Sequence, residues 1–305
     1  MSTNPDDTKW YSYTSSTQTM RTWARRIRSY EEVPAEFQPA FPEYGEHFPY
    51  TLLIPQDRLS LFHRRNEQMI CLYQDRLVHL ELVHHEIKTL SSSLQEVLYV
   101  ERGMILLYSW LKIVTPSGTL WMRFNTTNEY LFSPVIETIR QEMSGSSASD
   151  QASGKRDQTL SRFDYLVYAN YKYMNYGRES VRANDAVVDV VYQPDRPLQE
   201  ITLFGRTLLR RCMTGHLSVL TENELILIRE DKRIRINQEA SYGGVFTYIP
   251  RRQIHDISFV SDRENAHCVM QITLPENTRL VSEFSLTNEE LGSFQEHLGR
   301  ITISP

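Results

Sequence analysis

A chain of 305 residues with 40% hydrophobic and 23% charged side chains has the composition of a globular protein with room for two ordinary cores. Its formal net charge of −5 disfavours nucleic acid, whose phosphates need a basic face, and three well-separated cysteines, Cys71, Cys212 and Cys268, cannot all pair with one another. The polar start MSTNPDDTKW has no apolar h-region, and no segment approaches the roughly 20 apolar residues of a membrane span, so a soluble, cytoplasmic, reducing setting is expected.

The first element in chain order is a helix: Met20, Trp23, Ile27 and Tyr30 recur at intervals of three or four. Within it, RTWARRIR sets Arg21, Arg25 and Arg28 on one helical face and Trp23 and Ile27 on another. That pattern fits a helix packed on its own domain with a solvated basic face better than one lying on a membrane. EQMICLYQDRLVHLELV, Glu67 to Val83, then reads as a hairpin turning at Gln74-Asp75. His84 and His85 follow it as an exposed turn; adjacent strand positions face opposite ways, so they would not converge on a metal. LQEVLYV from Leu94 reads as a strand, and LKIVTPSGTLWMRFNTTNE from Leu111 as strand, proline turn and strand. Thr126 and Glu129 have capping-box spacing ahead of a helix over about 128–142, whose stripe is Leu131, Val135 and Ile139.

SGSSASDQASGK, Ser144 to Lys155, cannot bury a face and reads as a linker, which splits the chain into 1–143, a 144–156 linker and 157–305. Beyond it, Leu160, Phe163, Val167, Tyr171 and Met174 mark a second helix with Gly177 as its C-cap. Tyrosines at 165, 168, 171, 173 and 176 decorate nearly every face of that helix; one stripe is expected in the core and the rest at an interface. GHLSVLTENELILIRED, Gly215 to Asp231, then spells the earlier hairpin again.

The repetition is extensive. Met69 to Leu80 falls on Leu217 to Ile228 without a gap, and LFHR at Leu61 matches LFGR at Leu203. LQEVLYV aligns with IHDISFV from Ile254, and the Leu111 segment aligns with MQITLPENTRLVSEFSLTNE from Met270. A closing helix over 288–299 is expected, with Leu291, Phe294 and Leu298 buried. The matches keep one order across both halves, which points to duplication. The second copy carries extra residues around IRINQEASYGGVF, a longer loop or extended hairpin.

The glycine at 215, the Leu220-Thr221 strand end, the polar turn, the apolar strand at Leu225 and the later Ile249-Pro250, Ile254, Asp256 and Ile257 resemble bacterial pleckstrin-homology-like and GRAM-like domains. The resemblance covers about 190–300 and reaches 50–143 through the repeat. It implies an α+β fold of two tandem units. Each would be a bent antiparallel sheet or barrel of about six to seven strands, with a preceding helix and a C-terminal closing helix. It also implies a non-catalytic docking or scaffolding role toward a protein or peptide partner.

No G-x-S-x-G, phosphate-loop, H-E-x-x-H or C-x-x-C motif occurs, and no cofactor or metal is expected. The thiols read as buried small hydrophobes, and Asn125 in NTT as part of a helix cap. Candidate binding residues are Arg64 and Arg65 in the first copy and Arg206, Arg210 and Arg211 in the second, in the region where the resembled domains bind anions. Two alternatives remain at this level: docking of those arginines on an anionic membrane, and an enzyme with a cleft between the units.

Overall fold

The computed structural model describes residues 23–58, 64–105, 108–145, 160–203, 206–230, 243–262, 267–285 and 288–299. Among them the chain is α+β, with antiparallel sheets and few helices. No described helix is long and apolar enough to cross a membrane.

In the first half, β1 (Arg25–Ile27) and β2 (Tyr50–Ile54) are followed by a short ribbon of β3 (Asp57–Arg58) and β4 (Arg64–Arg65). Next come β5 (Gln68–Leu72), β6 (Arg76–Val83) and β7 (Glu86–Ser93), and the sheet order is β1-β2-β5-β6-β7. Strand alternation places Leu52, Ile70 and Leu77 in one core and Leu53, Met69 and Val78 in another, so this sheet is covered on both faces. Val33 and Phe37, from the irregular stretch after β1, seal the second face. His84 and His85 are the exposed two-residue turn of the β6–β7 hairpin, at φ 48° and 71°. Left-handed backbone at both positions matches the natural twist of a hairpin.

Three further strands, β8 (Tyr99–Ile105), β9 (Tyr108–Thr115) and β10 (Gly118–Asn125), lead into helix α1 (Glu129–Ser144). Leu131, Val135 and Ile139 of α1 are buried as the spacing predicts, and Gly145 ends the helix at φ 67°. The cap differs from expectation. Asn125 Oδ1 accepts the Thr127 N–H at 3.0 Å and closes a 3-10 turn over Thr126–Asn128, in place of a Thr126–Glu129 box.

The second half opens with α2 (Leu166–Ala169) and α3 (Tyr171–Ser180). It continues through β11 (Val187–Gln193), the ribbon β12 (Arg196–Leu203) and β13 (Arg206–Met213), then β14 (His216–Thr221), β15 (Glu224–Arg229) and β16 (Gly243–Pro250). β17 (Asp256–Asp262), β18 (His267–Thr273), β19 (Arg279–Ser285) and α4 (Asn288–Gly299) complete it. Pairing β11–β14–β15–β16 repeats β2–β5–β6–β7, and β17–β18–β19 repeats β8–β9–β10. The registers agree: Leu72 faces Leu77 in one hairpin and Leu220 faces Leu225 in the other. One sequence match slips by three residues. Leu98 N–H bonds Val114 O as His255 N–H bonds Thr273 O, so Ile254 corresponds to Val97 rather than to Leu94. LQE is a 3-10 turn, as is its counterpart Arg251–Gln253.

The halves do not make two separate sheets. β16 pairs antiparallel with β8, Tyr248 opposite Val100 and Gly243 opposite Ile105, giving one sheet in the order β10-β9-β8-β16-β15-β14-β11. One core accordingly holds Leu52, Ile113 and Phe132 from the first half with Phe163, Leu217 and Phe246 from the second. No sheet among the described residues closes into a barrel.

Two glycines serve close packing. A Cβ on Gly103, at the joint opposite Val245, would lie 1.9 Å from the Trp110 ring. Gly103→Ala is expected to cost about 1–3 kcal/mol through overpacking, read as a lower urea midpoint. Gly177 lies inside α3 and is not its cap; its missing Cβ would come within 2.4 Å of Phe163.

The leading helix of the first half is the clearest correction. Arg25–Ile27 form strand β1, with Arg25 opposite Leu53 and Ile27 opposite Thr51. Trp23, Arg25 and Ile27 therefore share one face, and Ala24, Arg26 and Arg28 the other. Residues 20–22 lie outside the described set.

Candidate docking groove and buried polar clusters

The five candidate arginines occupy the two ribbons, with their side chains outside the described set. Arg64 and Arg65 form β4; Arg206, Arg210 and Arg211 belong to β13. The registers place Asp57 opposite Arg65 and Glu200 opposite Arg210, so each ribbon sets an acidic position across from a basic one. The ribbons are separate two-stranded sheets, and the five residues do not share one strand ladder.

A different basic site emerges at β1, the outer strand of its sheet among the described residues. An open groove of about 890 Å³ runs between β1, β2 and the start of α1. Arg25, Arg26 and Arg28 line it, all exposed, together with Trp23, Tyr50, Asn128 and Tyr130. The Arg26 guanidinium sits 4.0 Å over the Tyr50 ring. The Tyr50 hydroxyl donates to Leu131 O at 2.9 Å, and burial raises its pKa against the pull of Arg26. Two acidic side chains share the groove. Glu32 Oε2 accepts the Arg28 backbone N–H at 2.9 Å. Glu67 has its pKa raised, first by burial and then by Glu36, with Arg25 opposing.

Two residues that line this groove each carry a buried polar atom without a hydrogen-bond partner, the Trp23 Nε1–H donor and the Asn128 Oδ1 acceptor. Asn128 is 5% exposed and precedes α1 without capping it by its side chain. Unsatisfied buried polar atoms are costly unless something else meets them. Sequence reasoning found Arg25, Arg28 and Trp23 but gave them a helix, and it missed Arg26, Tyr50 and Asn128. The available signal was period two across Trp23 to Arg28, which competes with period 3.6 in so short a run.

A second cluster has the residue types of a nucleophilic triad. Ser218 Oγ on β14 lies 3.1 Å from His297 Nε2 on α4, and His297 Nδ1 lies 3.0 Å from Asp189 Oδ2 on β11. Ser218 is 0% exposed and His297 1%. Ser218 holds the position of Ile70 in the first half, so the cluster replaces an apolar sheet–helix contact by a hydrogen-bonded one. The chain of contacts ties α4 to two strands.

The third cluster joins the halves. Arg140 on α1 reaches Glu224 at the β14–β15 turn, Nη2 to Oε2 at 2.7 Å, and donates to Ser180 O at 2.8 Å. The Tyr248 ring lies 3.9 Å from the guanidinium. Arg182 Nε lies 3.8 Å from Glu224 Oε1 and Arg182 Nη2 3.6 Å from Asp185 Oδ2. Burial opposes the Arg140 charge, yet Glu224 and Tyr248 hold its pKa above the ordinary value.

Other sequence candidates fall into structural roles. Burial pushes the Cys71 thiol up to about 12 and raises Cys268, which favours the neutral thiol over the nucleophilic thiolate at both. The Cys212 side chain lies outside the described set. Tyr173 is buried and donates to Gly215 O, whereas Tyr168 and Tyr171 are exposed. No cluster of three His, Cys, Asp or Glu suited to a metal occurs among the described residues. No protein-family model matches this chain, and no curated protein matches its sequence.

Proposed function

We propose that this chain is a non-catalytic docking module built from two pleckstrin-homology-like units, and that it binds a protein or peptide partner. The observation that carries the reading is the groove at β1, where three exposed arginines line an open channel beside the outer strand of the described sheet. Such strands recruit extended peptides by main-chain hydrogen bonding, with side chains setting specificity. The unit-level reading draws on the order of each half: a strand, a short ribbon, two more strands, a three-stranded sheet and a closing helix. Membrane docking through the ribbon arginines is weaker, because Asp57 and Glu200 stand opposite two of them.

Selection from an unbiased random peptide library on the immobilised full chain tests the reading. Enrichment of a defined motif, competed by free peptide and lost in the Arg25→Glu, Arg28→Glu variant, is expected. A selection that enriches nothing overturns it.

A further inference from the structure

We infer that the groove at β1 takes an extended acidic peptide, which adds as a strand to the outer edge of β1 and places carboxylates on its arginines. This rests on the docking reading above and names the partner's chemistry. Arg25, Arg26 and Arg28 are exposed and flank the strand on both faces, so an added strand with acidic side chains meets a guanidinium whichever way they point. Within the groove these arginines outnumber the two glutamates, one of which is already engaged by a backbone N–H.

The edge of β1 narrows the ligand further. A peptide can meet the outward N–H and C=O groups of the strand with its own, since every amide carries one donor and one acceptor, whereas a free phosphate or carboxylate supplies acceptors only.

The test uses the full chain and labelled eight-residue peptides with Asp at alternate positions, their Asn counterparts, and versions N-methylated at alternate amides in either phase. Fluorescence anisotropy is expected to show Asp peptides binding at least ten times more tightly than Asn peptides. Binding should weaken at least tenfold in Arg25→Ala, Arg28→Ala, and quenching of indole emission on binding should disappear in Trp23→Phe. N-methylation should abolish binding in one phase and spare it in the other, because only alternate amides face β1. The arginines are exposed, so the variants keep the wild-type urea midpoint. Equal binding of Asp and Asn peptides, or indifference to methylation in both phases, overturns the inference. So does salt-sensitive binding to phosphatidylserine vesicles without peptide binding. If the random library enriches a non-acidic motif instead, the docking reading stands and the acidic-strand inference fails; if neither library nor Asp peptides bind, both fail.

Discussion

Arg140→Ala is expected to destabilise the protein by about 3–5 kcal/mol, the range for breaking a buried ion pair from one side. Truncation leaves Glu224, whose side chain is 0% exposed, without its 2.7 Å partner. It also frees the Ser180 carbonyl and uncovers the Tyr248 ring. Arg182 is the other cation near Glu224, but at 3.8 Å it makes a looser contact. Removing both charges together, as Arg140→Met with Glu224→Leu, should recover much of the loss, because neither member of the 2.7 Å pair is left stranded and Arg182 keeps Asp185 at 3.6 Å. Urea melts of the two single variants and the double variant give the coupling directly. A midpoint unchanged in Arg140→Ala would mean that Arg182 alone satisfies Glu224. Because Arg140 belongs to the first half and Glu224 to the second, the same variant reports how far the joint between them rests on charge.

Acid should weaken the fold through His216. Burial first, then the nearby Arg229, lowers its pKa to about 3. In the unfolded chain the same imidazole protonates near 6.5. Between those values the unfolded state binds more protons, so stability falls as pH falls, by up to about 1.4 kcal/mol per pH unit. His79 on β6 adds in the same direction, its pKa lowered chiefly by burial. Over the window from pH 6.5 to about 3.5 the loss from His216 reaches roughly 4 kcal/mol. His216→Gln removes that titration while keeping a polar side chain. Its stability, lower at pH 7, should decline less steeply with acid than that of the parent. Parallel slopes in urea melts at pH 7, 6, 5 and 4 would contradict the assignment.

The repeated hairpins were legible because polar turns at Gln74-Asp75 and Glu222-Asn223 interrupt apolar strands at matching positions, and local turn chemistry fixes their register. The closing helices were legible for a similar local reason, a 3.6-residue stripe such as Leu131, Val135 and Ile139. What stayed hidden was decided between distant residues. Nothing near Val100 announces that Tyr248 will lie opposite it. Arg140 and Glu224 are 84 positions apart and look like ordinary surface charges in the sequence. At β1 the local pattern favoured a helix, and pairing with Leu52 and Leu53 across an irregular segment overrode it. The groove was missed as a consequence, since its lining follows from strand alternation.

The β16–β8 joint also bears on how two copies of the chain could meet end to end. A fused pair of repeats leaves the counterparts of its own seam at its extremities: β7 corresponds to β16, β17 corresponds to β8, and among the described residues β7 and β17 are each the outermost strand of their sheet. Were two molecules to dock as the halves do, β7 of one would lie along β17 of the next, and the contact could propagate into a fibre. Transferring the seam's register onto those strands sets Glu86 against Asp262, acid to acid, and Lys88 against Val260. Gly103 and Gly244, which let aromatic rings crowd the seam, give way there to Val260 and Ile87. The described outer edges therefore lack the two glycines that admit the close packing of the seam.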